Sequence, residues 1–317
     1  MIWCDSRADR TVGMKERMMK KLLGFGPAFI IIAALAWSYD GVLRRGLYSL
    51  PPSVVVFYEH LVGFAILLFL IPKWLPDFKK MTKKEWLAIA LVALFSGALG
   101  TIFYTAALGQ VHYIQFSVVV LLQQLQPIWA ISMAAILLKE KVTKKFILWA
   151  LVALVSAYFV TFKDLTVNLS TGAGTAIAGL LALLAGVLWG SSTAISKYVL
   201  NKVSVLTATT LRFLLAPVFA FGLIVSLGQT ASLTMVTQAQ WISLLIIAFS
   251  TGMVALAIYY YGLKKTPARV ATICELVWPA SAVLIDYFYF HQRYSNTQIL
   301  GIIVLLYAIY QVAWKNR

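Results

Sequence analysis

Five ionisable side chains lie inside long apolar stretches of this 317-residue sequence. If these stretches cross a bilayer, a central charge costs at least about 2.5–3.5 kcal/mol, so each group should face other protein groups or a water-filled cavity. Catalysis or metal binding would need suitably spaced histidines, cysteines or carboxylates, but the three histidines are scattered. We therefore predict no metal site, no cofactor and no enzymatic centre. The five residues are Glu59, His60, Arg212, Glu275 and Asp286.

These charged groups suggest different chemistry. Arg212 is expected either to neutralise Glu59 or Glu275, or to bind a substrate carboxylate or phosphate through two parallel hydrogen bonds. Glu59 and His60 are candidates for carrying a coupling proton, since imidazole titrates near neutrality. A single histidine in an apolar segment is, however, more often a packing residue. Asp286 stands near the end of its stretch and is expected to be solvated.

Two prolines add a polar position each. Gln123 and Glu275 stand four residues before Pro127 and Pro279. A proline inside a helix cannot bond the carbonyl four residues back and its ring pushes on that carbonyl. Each position is therefore predicted to offer a polar side chain and an unpaired carbonyl, which need a neighbouring helix, water or a ligand. The alternative is a structural kink that a neighbouring helix satisfies.

Aromatic residues make up 14% of the chain, and most are expected at the membrane interfaces and in the core. Five lie well inside apolar stretches, near the polar positions. Beside a carboxylate, such rings suit a cationic or aromatic substrate, whereas helix packing is the alternative interpretation for each of them. They are Trp37, Tyr104, Trp189, Tyr260 and Trp278.

Long apolar segments must position these residues. The chain is 61% hydrophobic and only 12% charged, against roughly 45–50% and 25% in soluble domains. Segments near the length of about 20 residues that a spanning helix needs recur along the whole chain, and none shows the alternation of a barrel strand. We predict ten transmembrane helices, near 22–43, 53–72, 86–108, 115–138, 146–162, 174–196, 205–227, 241–263, 268–290 and 297–314.

The second half of the chain repeats the first at an offset of 152 residues. This register places Trp37 on Trp189 and Pro127 on Pro279, and it relates His60 to Arg212 and Gln123 to Glu275. Transporters built from two copies of one unit place their site between the copies. The predicted organisation is a cytoplasmic arm over 1–21, a five-helix repeat over 22–162 and a second repeat over 174–314.

The basic residues predict the orientation. Of the 27 Lys and Arg residues, 22 fall in the N-terminal arm, the even-numbered loops and the C-terminus, whereas Arg44, Arg45, Lys163 and Arg293 fall in odd-numbered loops. The positive-inside rule then places both termini in the cytoplasm. Because five helices is an odd number, the repeats are predicted to be inverted. The net charge of +16 is thus a topology signal, and no basic soluble domain is present to bind nucleic acid.

These features resemble the EamA-like family of the drug/metabolite transporter superfamily over roughly residues 22–314. The resemblance rests on Trp37-Ser38 and Trp189-Gly190, on Pro127 and Pro279, and on the segment 138–143 with its Leu-Lys-Glu-Lys-Val-Thr sequence. The second half departs from it with Gln292 where the counterpart of Glu140 is expected, and the first half holds about three extra residues between Leu108 and Pro127. The resemblance implies a central cavity between the halves and alternating access.

We therefore expect an all-α integral membrane protein that transports a small organic metabolite, namely an amine, an amino acid or a related nitrogenous compound. No Walker-type loop is present to drive ATP-dependent pumping, so transport is expected to be secondary or facilitated, with a proton as the candidate coupling ion. The expected location is the plasma membrane, as a monomer or a dimer in the lipid bilayer. The alternatives are a lipid-carrier or nucleotide-sugar translocator and a membrane-embedded enzyme.

Overall fold

A computed structural model describes residues 25–110, 122–161, 174–281 and 295–315, with side chains from residue 177 onward in the third range. Within these ranges every regular element is a helix. Eight helices are long and apolar enough to cross a membrane, which confirms the predicted all-α membrane fold. They are α1 Gly26–Leu47, α2 Pro52–Phe78, α3 Lys83–Gly109, α5 Lys144–Thr161, α6 Ile177–Leu200, α7 Val205–Ser226, α8 Gln238–Lys265 and α10 Asn296–Lys315.

The helical segments that contain Pro127 and Pro279 are both interrupted by a turn. In the first repeat a turn at residues 124–125 precedes α4, Gln126–Leu137. In the second repeat α9, Ala268–Cys274, ends at a turn over residues 275–276 and a further helical stretch follows. The remaining parts of the predicted spans 115–138 and 268–290 lie outside the described residues. Helix breaks therefore occur at equivalent points of both repeats, next to Gln123 and Glu275.

The prediction of an unpaired carbonyl at Glu275 is wrong. The Glu275 carbonyl accepts a hydrogen bond of 3.0 Å from the backbone N–H of Trp278. Because Pro279 has no N–H to offer, the chain tightens by one residue and the preceding N–H takes its place, as in a 3₁₀ turn. The break thus leaves the side chain of Glu275, and not its backbone, available to the interior.

Two pairs of equivalent helices, α2 with α7 and α5 with α10, lie side by side and run antiparallel. At one end of the α2–α7 pair, Asp77 accepts hydrogen bonds from the Ser204 N–H at 3.1 Å and the Thr207 hydroxyl at 2.7 Å. At the other end, the Ser53 hydroxyl donates to the side-chain oxygen of Gln229 at 2.5 Å, and Gln229 is the residue that the 152-residue register relates to Asp77.

The α5–α10 pair has the same arrangement. Gln298, near the start of α10, donates to the carbonyl of Val160 at the end of α5, at 3.1 Å. Further along, the rings of Trp149 and Tyr307 meet edge to face with centroids 5.5 Å apart. In both pairs, therefore, the start of one helix meets the end of its equivalent.

Helices α3 and α8 share two local features. Each starts with a capping box, Thr82 with Glu85 and Thr237 with Gln240, in which the side chain of the first residue and that of the third helical residue satisfy free backbone N–H groups. Each then contains a seven-residue π-helical segment, at Ala93–Leu99 in α3 and Ala248–Val254 in α8. The offset between these features is 155 residues, because the second repeat has three more residues before α8.

Small residues let the helices around the interior approach closely. A methyl group at Gly97 would lie 2.7 Å from Ala216 Cβ, and one at Gly186 would lie 3.0 Å from the Gln123 carbonyl. On the outside, large apolar side chains such as Phe69 and Ile136 are 87% and 74% exposed, as expected where lipid covers the surface. Three parts of the sequence interpretation lie outside the described residues: the arm over 1–21, Asp286 and Gln292.

Candidate functional site

One cavity lies between the helices of the two repeats, with an empty volume of about 1170 Å³ including its opening. The structure brings together at this cavity all the described residues that the sequence proposed for a site. They are Trp37, Glu59, His60, Tyr104, Gln123, Trp189, Arg212, Tyr260, Glu275 and Trp278, with the prolines Pro127 and Pro279.

Trp37 and Trp189 each donate a hydrogen bond to the other repeat. Trp37 Nε1 donates to the carbonyl of Thr251 at 2.8 Å, and Trp189 Nε1 donates to the carbonyl of Ser96 at 3.3 Å. Both acceptors lie in the π-helical segments, where the wider turn interrupts the ordinary hydrogen-bond ladder of the helix. The two contacts are equivalent under the repeat, so each repeat fixes one indole ring at the cavity wall.

Each of these tryptophans also packs against a tyrosine of the other repeat. The Trp37 and Tyr259 rings are 5.1 Å apart and inclined by 52°, and those of Trp189 and Tyr104 are 5.2 Å apart and inclined by 53°. We call Trp37, Tyr259, Thr251 and Glu275 the Trp37 cluster. We call the residues equivalent to these, together with Arg212, the Trp189 cluster: Trp189, Tyr104, Ser96, Gln123 and Arg212.

Glu275 is held by uncharged donors. One of its carboxylate oxygens accepts from the Tyr259 hydroxyl at 2.7 Å and the other from the side-chain amide of Gln126 at 2.7 Å. Within the described residues no cation lies within ion-pair distance of it, so the predicted pairing of Glu275 with Arg212 is not found. The sequence interpretation missed Tyr259 and Gln126, although the repeat relates Tyr259 to Tyr104.

Arg212 has no acidic partner among the residues that the structure describes. Its Nη2 donates to the Ser96 carbonyl at 3.0 Å, and its Nε is buried without a hydrogen-bond partner. The predicted pair between Arg212 and Glu59 is wrong, because another arginine occupies Glu59. Arg212 therefore brings an uncompensated positive charge to the cavity.

That other arginine is Arg44, which the sequence interpretation placed in an outer loop. Helix α1 continues to Leu47, so Arg44 is only 3% exposed and faces inward. It forms ion pairs with Asp40 and, at 2.8 Å, with Glu59. Asp40 in turn accepts from the Thr251 hydroxyl at 2.6 Å. The four-residue spacing of Asp40 and Arg44 on one helix face could have signalled this cluster.

His60 is a packing residue in this structure. Its Nδ1 lies 3.0 Å from the carbonyl of Val56, and its ring lies 4.9 Å from the ring of Phe213. Since a carbonyl only accepts, Nδ1 carries the proton. These contacts favour the packing interpretation over a proton relay.

The segment after α4 binds the start of α9. The carboxylate of Glu140 accepts from the backbone N–H groups of Ala268 at 2.7 Å and Arg269 at 3.1 Å, and it pairs with the Arg269 side chain at 3.3 Å. Because Gln126 bonds Glu275 at the other ends of the same helices, α4 and α9 are joined at both ends. One of those joints is at the cavity.

The charges around the cavity nearly cancel. Three carboxylates face two arginines, and the described residues contain no group of histidine, cysteine and carboxylate side chains that could hold a metal ion. The rest of the lining is aromatic, hydroxyl and amide. The cavity therefore suits a polar, uncharged or zwitterionic molecule with flat rings.

Two equivalent halves that enclose a polar, aromatic cavity between them are typical of membrane transporters built from repeats. The sequence profile of the EamA-like transporter family matches residues 24–162 and again residues 176–314. The chain therefore belongs to this family, a branch of the drug/metabolite transporters, which confirms the resemblance seen in the sequence.

Two relatives and one solved structure show the extent of the similarity. The chain is 34% identical over 293 residues to the riboflavin transporter ImpX of Fusobacterium nucleatum subsp. nucleatum, covering 92% of this chain and 98% of that protein. It is 24% identical to the uncharacterized transporter sll1164 of Synechocystis sp., over 80% of this chain and 73% of that one. A crystal structure of 15% sequence identity superposes with a TM-score of 0.70 over 91% of this chain and 97% of the other.

Proposed function

We propose that this protein transports riboflavin or a closely related flat heterocycle across the membrane. The observation that carries this proposal is the cavity itself, which combines two tilted tryptophan–tyrosine ring pairs with a nearly balanced set of charges. The 34% identity to a riboflavin transporter over almost the full length of both chains supports the same substrate.

Riboflavin fits this environment chemically. Its isoalloxazine ring system is flat and aromatic, its ribityl chain carries hydroxyl groups, and the whole molecule is uncharged at neutral pH. Stacking of such a ring on an aromatic side chain contributes about 1–3 kcal/mol in nucleic-acid complexes. Hydroxyl and amide groups of the lining, such as Ser192, Thr193 and Gln126, can serve the ribityl chain.

The proposed mechanism is alternating access between two inverted repeats. The antiparallel contacts of α2 with α7 and of α5 with α10 support the inversion, and the breaks beside Gln123 and Glu275 support a site at the repeat interface, as in other transporters with discontinuous helices. We propose facilitated or proton-coupled transport in the plasma membrane, by a monomer or a dimer with both termini in the cytoplasm.

A second candidate substrate is a small amine or amino acid. The specific observation in its favour is Glu275, the carboxylate of the Trp37 cluster, which has no cationic partner among the described residues. A desolvated cation over an aromatic ring gains about 2 kcal/mol, and Arg212 could receive a substrate carboxylate. Nucleotide-sugars fit less well, because only Arg212 offers an uncompensated positive charge.

Uptake by the purified protein in liposomes tests the proposal. Labelled riboflavin should accumulate transiently in liposomes preloaded with an excess of unlabelled riboflavin, since counterflow is a property of carriers. Excess riboflavin should compete, whereas amines, amino acids and nucleotide-sugars should not. Uptake of a labelled amine or amino acid that unlabelled flavins do not reduce, with no uptake of riboflavin, would instead establish the second candidate. Riboflavin uptake that responds to an imposed pH gradient would identify proton coupling.

A further inference from the structure

The two clusters of the cavity are equivalent in position but not in hydrogen bonding. In the Trp37 cluster, the Tyr259 hydroxyl donates to Glu275 at 2.7 Å. The repeat relates these residues to Tyr104 and Gln123 in the Trp189 cluster. There the bond is not made: the side-chain oxygen of Gln123 is buried and has no partner among the described residues. The tyrosine and the carboxylate of the Trp37 cluster thus satisfy each other, whereas the Trp189 cluster keeps an unsatisfied acceptor.

The Trp189 cluster also contains an unsatisfied hydrogen-bond donor. Arg212 Nε is buried and has no hydrogen-bond partner in the described part of the chain, although Nη2 of the same guanidinium is bonded to the Ser96 carbonyl. Trp189 donates to that same carbonyl, so the guanidinium lies beside the indole. Gln123 packs on α6 against Gly186, one turn before Trp189, where a methyl group would lie 3.0 Å from its carbonyl.

Buried polar atoms that make no hydrogen bond within the protein indicate a binding partner. Leaving such a donor or acceptor unsatisfied destabilises the folded protein, and native structures rarely leave one without a reason. Of the cavity-lining side chains, Gln123, Arg212 and Thr272 carry an atom of this kind. Two of these three belong to the Trp189 cluster, where they offer one acceptor and one donor next to a flat aromatic face.

We propose that the Trp189 cluster recognises the edge of a planar heterocycle in which a ring N–H stands next to a ring carbonyl. Gln123 accepts from the N–H, Arg212 Nε donates to the carbonyl, and the ring lies against Trp189. This assignment rests on the proposed function and makes it specific: the imide edge of the isoalloxazine ring binds at Gln123 and Arg212. The Trp37 cluster does not read this edge, since its carboxylate is already bonded to Tyr259 and Gln126.

Methylation of the imide nitrogen tests this assignment. Riboflavin and 3-methylriboflavin differ only in that N–H, and both are fluorescent, so quenching gives their dissociation constants with the purified wild-type protein. The wild type should bind riboflavin about 10-fold or more tightly than the methylated form, because a buried acceptor then loses its partner. Gln123→Leu should bind both flavins with equal, reduced affinity.

Three further variants control for folding and position. Gln123→Glu keeps an acceptor and should keep the preference for riboflavin. Arg212→Lys keeps the charge but lacks Nε and should weaken both flavins by about 10-fold. Gln311→Leu makes the same replacement at a glutamine outside the cavity that is bonded to Tyr307, and the preference should be unchanged.

The outcomes separate the two levels of the proposal. If the wild type binds both flavins equally, or if Gln123→Leu retains the preference, the imide edge does not bind at Gln123 and this inference is overturned while flavin transport stands. If the wild type binds neither flavin but does bind another class of solute, both the proposed substrate and the edge assignment are overturned.

Discussion

Two arginines face the same cavity, and their surroundings give them different roles. Arg44 forms ion pairs with both Asp40 and Glu59, so its charge is neutralised within the fold. Arg212 reaches only the carbonyl of Ser96, which also accepts from Trp189 and from the Thr101 hydroxyl. The first arginine stabilises the structure, and the second is available to a substrate.

Replacing each arginine by methionine should separate these roles. Arg44→Met leaves two buried carboxylates without their cation, which costs about 3–5 kcal/mol when a buried pair is broken, so the melting temperature in detergent should fall by several degrees. Arg212→Met should leave it nearly unchanged, because Ser96 keeps two other donors, while flavin uptake is strongly reduced. An equal loss of thermal stability in the two variants would contradict this division.

Replacing Glu275 by glutamine should impair transport in a folded protein. The carboxylate joins Tyr259 to Gln126, and hydrogen bonds to a charged group contribute about 1.5–3 kcal/mol each; an amide keeps the shape but weakens both bonds. Uptake should fall at least 10-fold with normal insertion into the membrane. Glu85→Gln is a matched control, since the equivalent capping position of α8 already uses Gln240. Normal uptake by Glu275→Gln would make this carboxylate a purely structural group.

At the scale of elements, the broken helices depend on close contact with their neighbours. Helix α6 passes directly over the start of α4 at Gly190, where a methyl group would lie 2.5 Å from the Gln126 carbonyl. Gln126 is the residue that bonds Glu275. The position of α4 and the geometry of the carboxylate are therefore set by the absence of a side chain on α6.

Gly190→Ala should displace α4 and reduce both stability and uptake. A carbonyl oxygen cannot rotate away as a flexible side chain can, so the helices must separate. Gly222→Ala, on α7, meets nothing within 4 Å and should be neutral or slightly stabilising. Uptake and melting temperature of the two variants give the comparison. If Gly190→Ala behaves like Gly222→Ala, the contact between α6 and α4 does not position the site.

The sequence predicted some of these elements better than others. Pro127 and Pro279 placed the helix breaks correctly, because the loss of an N–H is a local property. The π-helical segments in α3 and α8 have no such local signature, and the indole contacts to Thr251 and Ser96 arise only when the repeats pack together. Arg44 was misplaced because hydropathy ended α1 at residue 43, whereas ion pairing carries the helix through Leu47.

At the scale of the whole molecule, three helices long enough to cross the membrane separate Thr143 from Thr234 in the described chain, and we predict that the two residues lie on opposite sides. The excess of lysine and arginine on one side predicts that Thr143 faces the cytoplasm. Both threonines are exposed, and Cys274 is fully buried. Single cysteines at these positions, with Cys4 replaced by serine, therefore report the orientation.

A membrane-impermeant thiol reagent should label Thr234→Cys in intact cells and Thr143→Cys only after permeabilisation. The reverse pattern would place the termini outside. Labelling of both from one side would mean that one of the three intervening helices does not cross the bilayer, and the inverted arrangement of the repeats would then be wrong.

The uneven charges of the two halves have a consequence for how a solute can enter. A cavity with true twofold symmetry would accept any asymmetric molecule in two opposite orientations of equal energy. Here Asp40, Arg44 and Glu59 carry charges, whereas the equivalent positions hold the uncharged Ser192, Ser196 and Leu211. A bound molecule rotated by half a turn about the pseudo-twofold axis would therefore meet these uncharged side chains in place of the charged ones. The duplication supplied the framework, and its later divergence removed the degeneracy. A molecule bound here has one preferred pose, and it presents a different end to each side of the membrane.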